Sequence, residues 1–291
     1  MKVLLNKYPI GSLPRQKTPG RYIDGVLYKN MKELARVISK DNTILGICSS
    51  STFEVGAGKS VFLQQMGEIW TEMINEMYGL NLEFSMKNIA FKPKDLIEKA
   101  SKLPKYSFLI LDEWEDSHYW SEFAISLRQF FRKCRQLNLF IMVVCPNFFQ
   151  VPMSYAISRS VFFIDVRYGH GFERGFFSFY NFKAKKDLYI KGKKTQNYRV
   201  GKPNFFGTFA DGYAVPKAEY LKAKRIDLDE DDKPKVDKKD ITIELFNQLY
   251  KHFKGRISAK DLAEGFSITE RTASVWLAKD KGGLSEDLGR K

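Results

Sequence analysis

An α/β fold built on a mainly parallel sheet is predicted by three observations. Short apolar runs recur at 43–48, 107–111, 139–145 and 161–166, each suited to a strand buried on both faces. Segments of helical period stand between them. A glycine-bearing loop, Gly56-Ala57-Gly58-Lys59-Ser60, joins the first run to a long helical pattern.

The elements follow in order. Residues 1–22 are basic and carry Pro9, Pro14 and Pro19, so an extended arm is expected. Residues 31–40 read as a short helix with Leu34, Val37 and Ile38 on one face. The first strand at 43–48 leads through the glycine loop to a helix over 61–78. Residues 81–91 are strand-like, 94–101 helical, and 107–111 a second buried strand. An amphipathic helix is expected over 121–135, then strands at 139–145 and 161–166. From 175 to 213 the pattern turns aromatic and β-like, read as hairpins. They form a β-rich extension, over about 170–213, of a domain spanning 23–225. Asp227, Asp229, Glu230, Asp231 and Asp232, then Lys233-Pro234-Lys235, make 226–240 a charged linker. Residues 241–291 return to helix, predicting a small all-α domain. No internal repeat is present.

Length and composition bound the function. A chain of 291 residues suits about two domains, and 44% hydrophobic with 28% charged residues is globular. No stretch approaches the ~20 apolar residues of a membrane span, and 3–5 is too short for a signal peptide, so a cytoplasmic protein is expected. Cys48, Cys134 and Cys145 lie far apart, and His118, His170 and His252 lack ligand spacing. The cysteine spacing excludes a disulfide scaffold and a Cys-based zinc site, and the histidine spacing argues against a His-built one. The net charge of +14 points to a polyanionic partner, most simply double-stranded DNA, or to a solvated lysine-rich surface. Lys183, Lys185, Lys186, Lys191, Lys193, Lys194 and Arg199 interleave with Phe182, Tyr189 and Tyr198. Such alternation suits a nucleic-acid backbone, and Lys185, Lys186, Lys193 and Lys194 are the candidate contacts.

The glycine loop carries the chemistry. Glycines let successive N–H groups converge on phosphate oxygens at a helix N-terminus. Gly56, Ala57, Gly58, Lys59, Ser60 and Val61 are the candidate ATP-binding residues. Lys59 would reach the β- and γ-phosphates, and Ser60 would ligate Mg²⁺. Phe53 stands where the full motif has its first glycine, and Ser49 to Thr52 lengthen the loop. Some 50 residues on, the run 108–111 ends in Asp112-Glu113. Asp112 is the second candidate for Mg²⁺, and Glu113 the general base for the attacking water. The pair reads as Walker A plus Walker B. After the strand 140–145, Asn147 is either a sensor of the γ-phosphate or an asparagine in a proline turn.

This succession resembles the FtsK–HerA group of P-loop ATPases, especially the small Zot-like ATPases of mobile elements and viruses. It comprises Gly56 to Ser60, Leu109 to Glu113, an Arg-bearing helix over 128–135, the strand ending at Pro146-Asn147, and Ile157-Ser158-Arg159 before 161–164. The resemblance covers about 23–166. It implies a ring, often hexameric, that pumps double-stranded DNA or extrudes virion components. The group usually has Gln where this chain has Asn147. The resemblance also implies an arginine supplied by a neighbouring subunit. Arg159 matches it, with Arg132 and Arg135 as rivals.

Residues 258–277 resemble a helix-turn-helix. Ser258 and Thr269 are candidate N-caps, and Ala263 lets two helices approach. Glu270, Arg271, Ser274 and Val275 would face a DNA major groove. A protein adaptor is the other reading. Three functions follow as expectations: a DNA-translocating or packaging ATPase, an ATP-switched regulator or initiator, and a virion-extrusion ATPase. An initiator would carry an α-helical lid, against which the β-like 175–213 segment argues. An extrusion ATPase would commonly carry a membrane segment.

Overall fold

The structure, a computed structural model, describes residues 21–51, 56–112, 130, 134–169, 174–231, 258–266, 269 and 271–274. The chain divides into two units, Met1–Asp227 and Leu228–Lys291.

The first unit is organised by one seven-stranded sheet. Its strands are β1 (Ile44–Ser49), β2 (Ile89–Ala90), β3 (Phe108–Leu111), β4 (Phe140–Val144), β5 (Phe162–Arg167), β6 (Phe176–Tyr180) and β7 (Phe205–Thr208). The spatial order is β2-β3-β4-β1-β5-β6-β7. The first five run parallel, and β6 and β7 are added antiparallel. The four apolar runs are thus the inner parallel strands, with β1 between β4 and β5. Each is buried on both faces, as its unbroken apolar character requires.

The period of two sorts each strand between two cores. Ile44, Cys48, Phe108, Ile110, Phe140, Met142, Phe162 and Ile164 pack on α1 (Gly25–Ile38) and α2 (Lys59–Tyr78), whose Met31, Phe62, Met66 and Trp70 fill that layer. Leu45, Ile47, Leu109, Leu111, Ile141, Val143 and Phe163 pack on the other face. There they meet Leu96 and Ala100 of α3 (Pro93–Lys102) and Leu188 and Tyr189 of α4 (Phe182–Gly192). Gly46 keeps β1 close to its neighbours: a β-carbon there would lie 2.3 Å from Met142 Sδ.

Three expectations change. The strand over 81–91 shrinks to β2, because Ser85 and Asn88 close a capping box around a 3-10 turn at Met86–Asn88. The 175–213 segment is not a set of hairpins: α4 stands between β6 and β7, and both strands continue the main sheet. With that, a helical lid is no longer disfavoured. Lys185 is not a surface cation. It is fully buried on α4, and its Nζ donates to the carbonyls of Ala156 at 2.7 Å and Ile157 at 2.8 Å. Burial pulls its pKa down to about 8. A lysine held inside in this way is withdrawn from any phosphate backbone.

At the start of the described chain, Arg21 pairs with Glu68 and Glu72 on α2, and Tyr22 is buried, so the expected arm is packed by its last two residues. Helix α5 (Lys217–Asp231) runs into the segment expected as a linker. Of the helix expected over 121–135, Phe130 is described, and Cys134–Leu137 form a 3-10 turn. In the second unit, α6 (Ala259–Gly265) opens on Ser258, whose Oγ donates to Asp261 at 2.6 Å and accepts from its N–H. Thr269 Oγ1 accepts from Thr272 N–H, and residues 271–274 are helical. Ala263 and Ala273 are both buried.

Candidate functional site

The parallel strands point their carboxyl ends to one edge, where an open α/β sheet collects ligand-binding loops. The chain leaves β1 there and reaches α2 through Gly56, at φ 93°, and Gly58, at φ 96°. Both glycines are left-handed, a conformation a side chain resists. Gly58 caps α2, and Phe62 is the first N–H of the helix to reach a helical carbonyl, that of Gly58. The N–H groups before it face out of the helix end. Ala57 and Val61 are buried, Lys59 and Ser60 half-buried. Two left-handed glycines thus lead directly into the N-terminus of α2, the positive end of a helix dipole.

Asp112 follows β3 and is buried at 1% exposure. Its Oδ1 accepts from Ser60 Oγ at 2.7 Å, across the single strand β4 that separates β3 from β1. The two candidate Mg²⁺ residues, 52 positions apart, therefore meet. Its other oxygen accepts from the Tyr220 hydroxyl of α5. Tyr220 is itself buried, and that burial, with the Asp112 charge, pushes its phenol well above the ordinary range. Among the described residues there is no cluster of three or more His, Cys, Asp or Glu able to hold a metal alone. Mg²⁺ on phosphates needs no such cage; one carboxylate and one hydroxyl suffice beside phosphate and water oxygens.

Asp165 is a buried carboxylate that no motif flagged. It sits opposite Ser49 across β5 and β1, and its Oδ1 accepts from Ser51 N–H at 2.7 Å. It therefore holds the chain at Ser51, just past the end of β1. Burial raises its pKa to about 6, against the Ser51 hydrogen bonds and the Arg167 and Lys59 charges. Burial also holds the Cys48 and Cys145 thiols up, Cys145 to about 12.

Asn147 follows β4 on the same edge. Its Oδ1 accepts from Phe149 N–H at 2.9 Å and from Tyr198 at 3.2 Å, and its Nδ2 donates to Gln196 at 2.6 Å. The Tyr198 hydroxyl also meets Ser49 Oγ at 3.3 Å, so the ends of β4 and β1 are tied by one phenol.

Arg159 is not part of this cluster. It is exposed at the end of a π-helical turn, Ser154–Arg159, that enters β5 at the opposite edge of the sheet. Lys186, Lys193 and Lys194 are exposed, and Lys193 Nζ bonds the Tyr189 hydroxyl at 2.7 Å. Arg271 and Ser274 are exposed in the second unit. Glu113, Arg132 and Glu270 lie outside the described residues, and of Arg135 only the backbone is described.

No helix among the described residues is long and apolar enough to cross a membrane. No family model, curated protein or solved structure matches this chain.

Proposed function

We propose that this chain is a P-loop ATPase of the FtsK–HerA type, a ring-forming motor that moves double-stranded DNA for a virus or mobile element. The observation that carries the reading is the 2.7 Å bond from Ser60 to Asp112, beside a loop of left-handed glycines at the head of α2. Few other chemistries call for a buried carboxylate bonded to a hydroxyl of the first helical turn at a loop of this kind. Lys59 and the loop N–H groups bind the phosphates. Ser60 and Asp112 hold Mg²⁺, which offsets phosphate charge when bound. Glu113, next to Asp112 in sequence, takes the proton of the attacking water. The exposed cations Lys186, Lys193 and Lys194 supply a DNA-facing charge. Arg159, away from its own loop, suits delivery to a neighbour's site. The second unit docks the motor through Arg271 and Ser274.

The test is the ATPase rate with and without duplex DNA, beside mass measurement with a non-hydrolysable ATP analogue. Hydrolysis that duplex stimulates, in a ring, is the expected result. A protein that neither binds nor hydrolyses nucleoside triphosphate sinks the reading. Slow turnover indifferent to DNA favours a switch over a motor.

A further inference from the structure

Arg174 places a guanidinium against the phosphate loop of its own chain. A β-carbon on Gly56 would lie 3.2 Å from Arg174 Nη2 and 3.8 Å from the Tyr168 hydroxyl. The arginine is exposed, and among the described residues no carboxylate pairs with it. Its neighbour Gly175, at φ 105°, accepts from Phe209 N–H at 2.8 Å. The Phe209 ring in turn lies 3.0 Å from where a β-carbon of Gly58 would stand. The two loop glycines therefore lie against Arg174 and Phe209, and one backbone hydrogen bond ties Phe209 to Gly175, the residue after Arg174. This arrangement is built into the sheet extension.

We propose that Arg174 is a second cation of the site, acting in cis on the terminal phosphate. This role rests on the nucleotide-binding reading above. A guanidinium is planar, permanently charged and forked, which suits phosphate oxygens better than a second ammonium would. In hydrolysis, the water oxygen bonds to phosphorus as the bond to the bridging oxygen breaks. The electron pair leaves with the diphosphate, and the water proton passes through the general base to solvent. Arg174 keeps its own protons and meets the charge gathering on the transferred group. No neighbouring subunit is required for this interaction.

The test compares wild type with Arg174→Ala, Arg174→Lys and Lys59→Ala, reading kcat and the binding of a fluorescent ATP analogue. Arg174→Ala is expected to lower kcat on the order of 10²-fold, the typical loss for one transition-state donor, with nucleotide binding kept within a few-fold. Free guanidinium ion should restore part of that rate and none of the Lys59→Ala rate. Co-expression of Arg174→Ala with Lys59→Ala should give no recovery, because neither chain then holds a complete site. Unchanged kcat in both Arg174 variants overturns the inference, and so does recovery on co-expression, which would make the residue a neighbour's. Loss of the wild-type melting transition in both variants also overturns it, by making Arg174 structural. If wild type itself fails to bind the analogue, the nucleotide-binding reading has failed, not this inference alone.

Discussion

Asp112 is held from two sides, by Ser60 on α2 and by Tyr220 on α5. Tyr220→Phe keeps the ring between Phe91 and Tyr213 but leaves a buried carboxylate oxygen without its donor. A loss of about 1–3 kcal/mol of stability is expected by denaturant unfolding. The loss should shrink when Asp112→Asn is already present, since the two groups share one bond; strictly additive effects would show that the bond is not made. Asp165 yields a pH signature. Its native pKa, about 6, stands above the usual 3.8, so between those values the folded chain keeps a proton the unfolded chain has lost. Stability therefore falls as pH rises through that window, by about 3 kcal/mol for the two-unit gap. Asp165→Asn should remove this dependence and still accept from Ser51 N–H. A stability difference between the two proteins that stays flat from pH 4 to 7 would contradict it. The meeting of Ser60 and Asp112 was legible in the sequence because one opens the helix after the first buried strand and the other ends the second. Tyr220 and Arg174 carried no such signal: distant strands and helices bring them to the loop. Asp165 carried a faint one, a carboxylate inside the apolar run 162–166.

Helix α4 shows how a pattern can be misread. Its rings and lysines alternate, and the segment reads as β. The buried positions are Lys185, Leu188, Tyr189 and Gly192, spaced as one helical face, and Asn181 caps the helix through the Ala184 N–H. Counting Lys185 as a core residue would have revealed the helix; counting it as a cation hid it. The consequence on DNA is specific. Neutralising Lys186, Lys193 and Lys194 should flatten the salt dependence of duplex binding, by about 0.9 in log–log slope for each phosphate left without its cation. Lys185→Met should leave that slope alone and change stability instead. Filter binding over a salt series decides: a full slope in the triple variant would make α4 a solvated surface. The inner parallel strands, by contrast, were plain, because strands buried on both faces leave continuous apolar runs.

At the scale of the molecule, the parallel sheet was readable from the alternation of strands and helices, but its strand order was not. Alternation says nothing of which strand lies in the middle. Because β1 and β5 run parallel, Arg159, which precedes β5, lies at the edge away from Gly56 to Ser60, while Arg174 lies against Gly56. The two arginines should therefore part company in mixed assemblies. Arg159→Ala combined with Lys59→Ala should partly restore hydrolysis, since one subunit lends its sound arginine to another's sound loop. Absence of recovery in assemblies shown by mass to be mixed would remove Arg159 from the trans role.

The central place of β1 has a consequence in time. Its two neighbours in the sheet, β4 and β5, are both made long after it: Ser49 Oγ reaches the carbonyl of Pro146, 97 residues further on. During synthesis β1 emerges with nothing to pair with, and its apolar faces wait through α2, β2, α3 and β3. A topology so dominated by distant pairings folds slowly, in roughly milliseconds to seconds. Chains halted before residue 140 should lack protected amides in β1 by hydrogen exchange, and chains extended past residue 167 should gain them together in β1, β4 and β5. Until then the nascent chain is a client for whatever shields exposed strands, and the yield of native protein should depend on growth temperature and on chaperone supply.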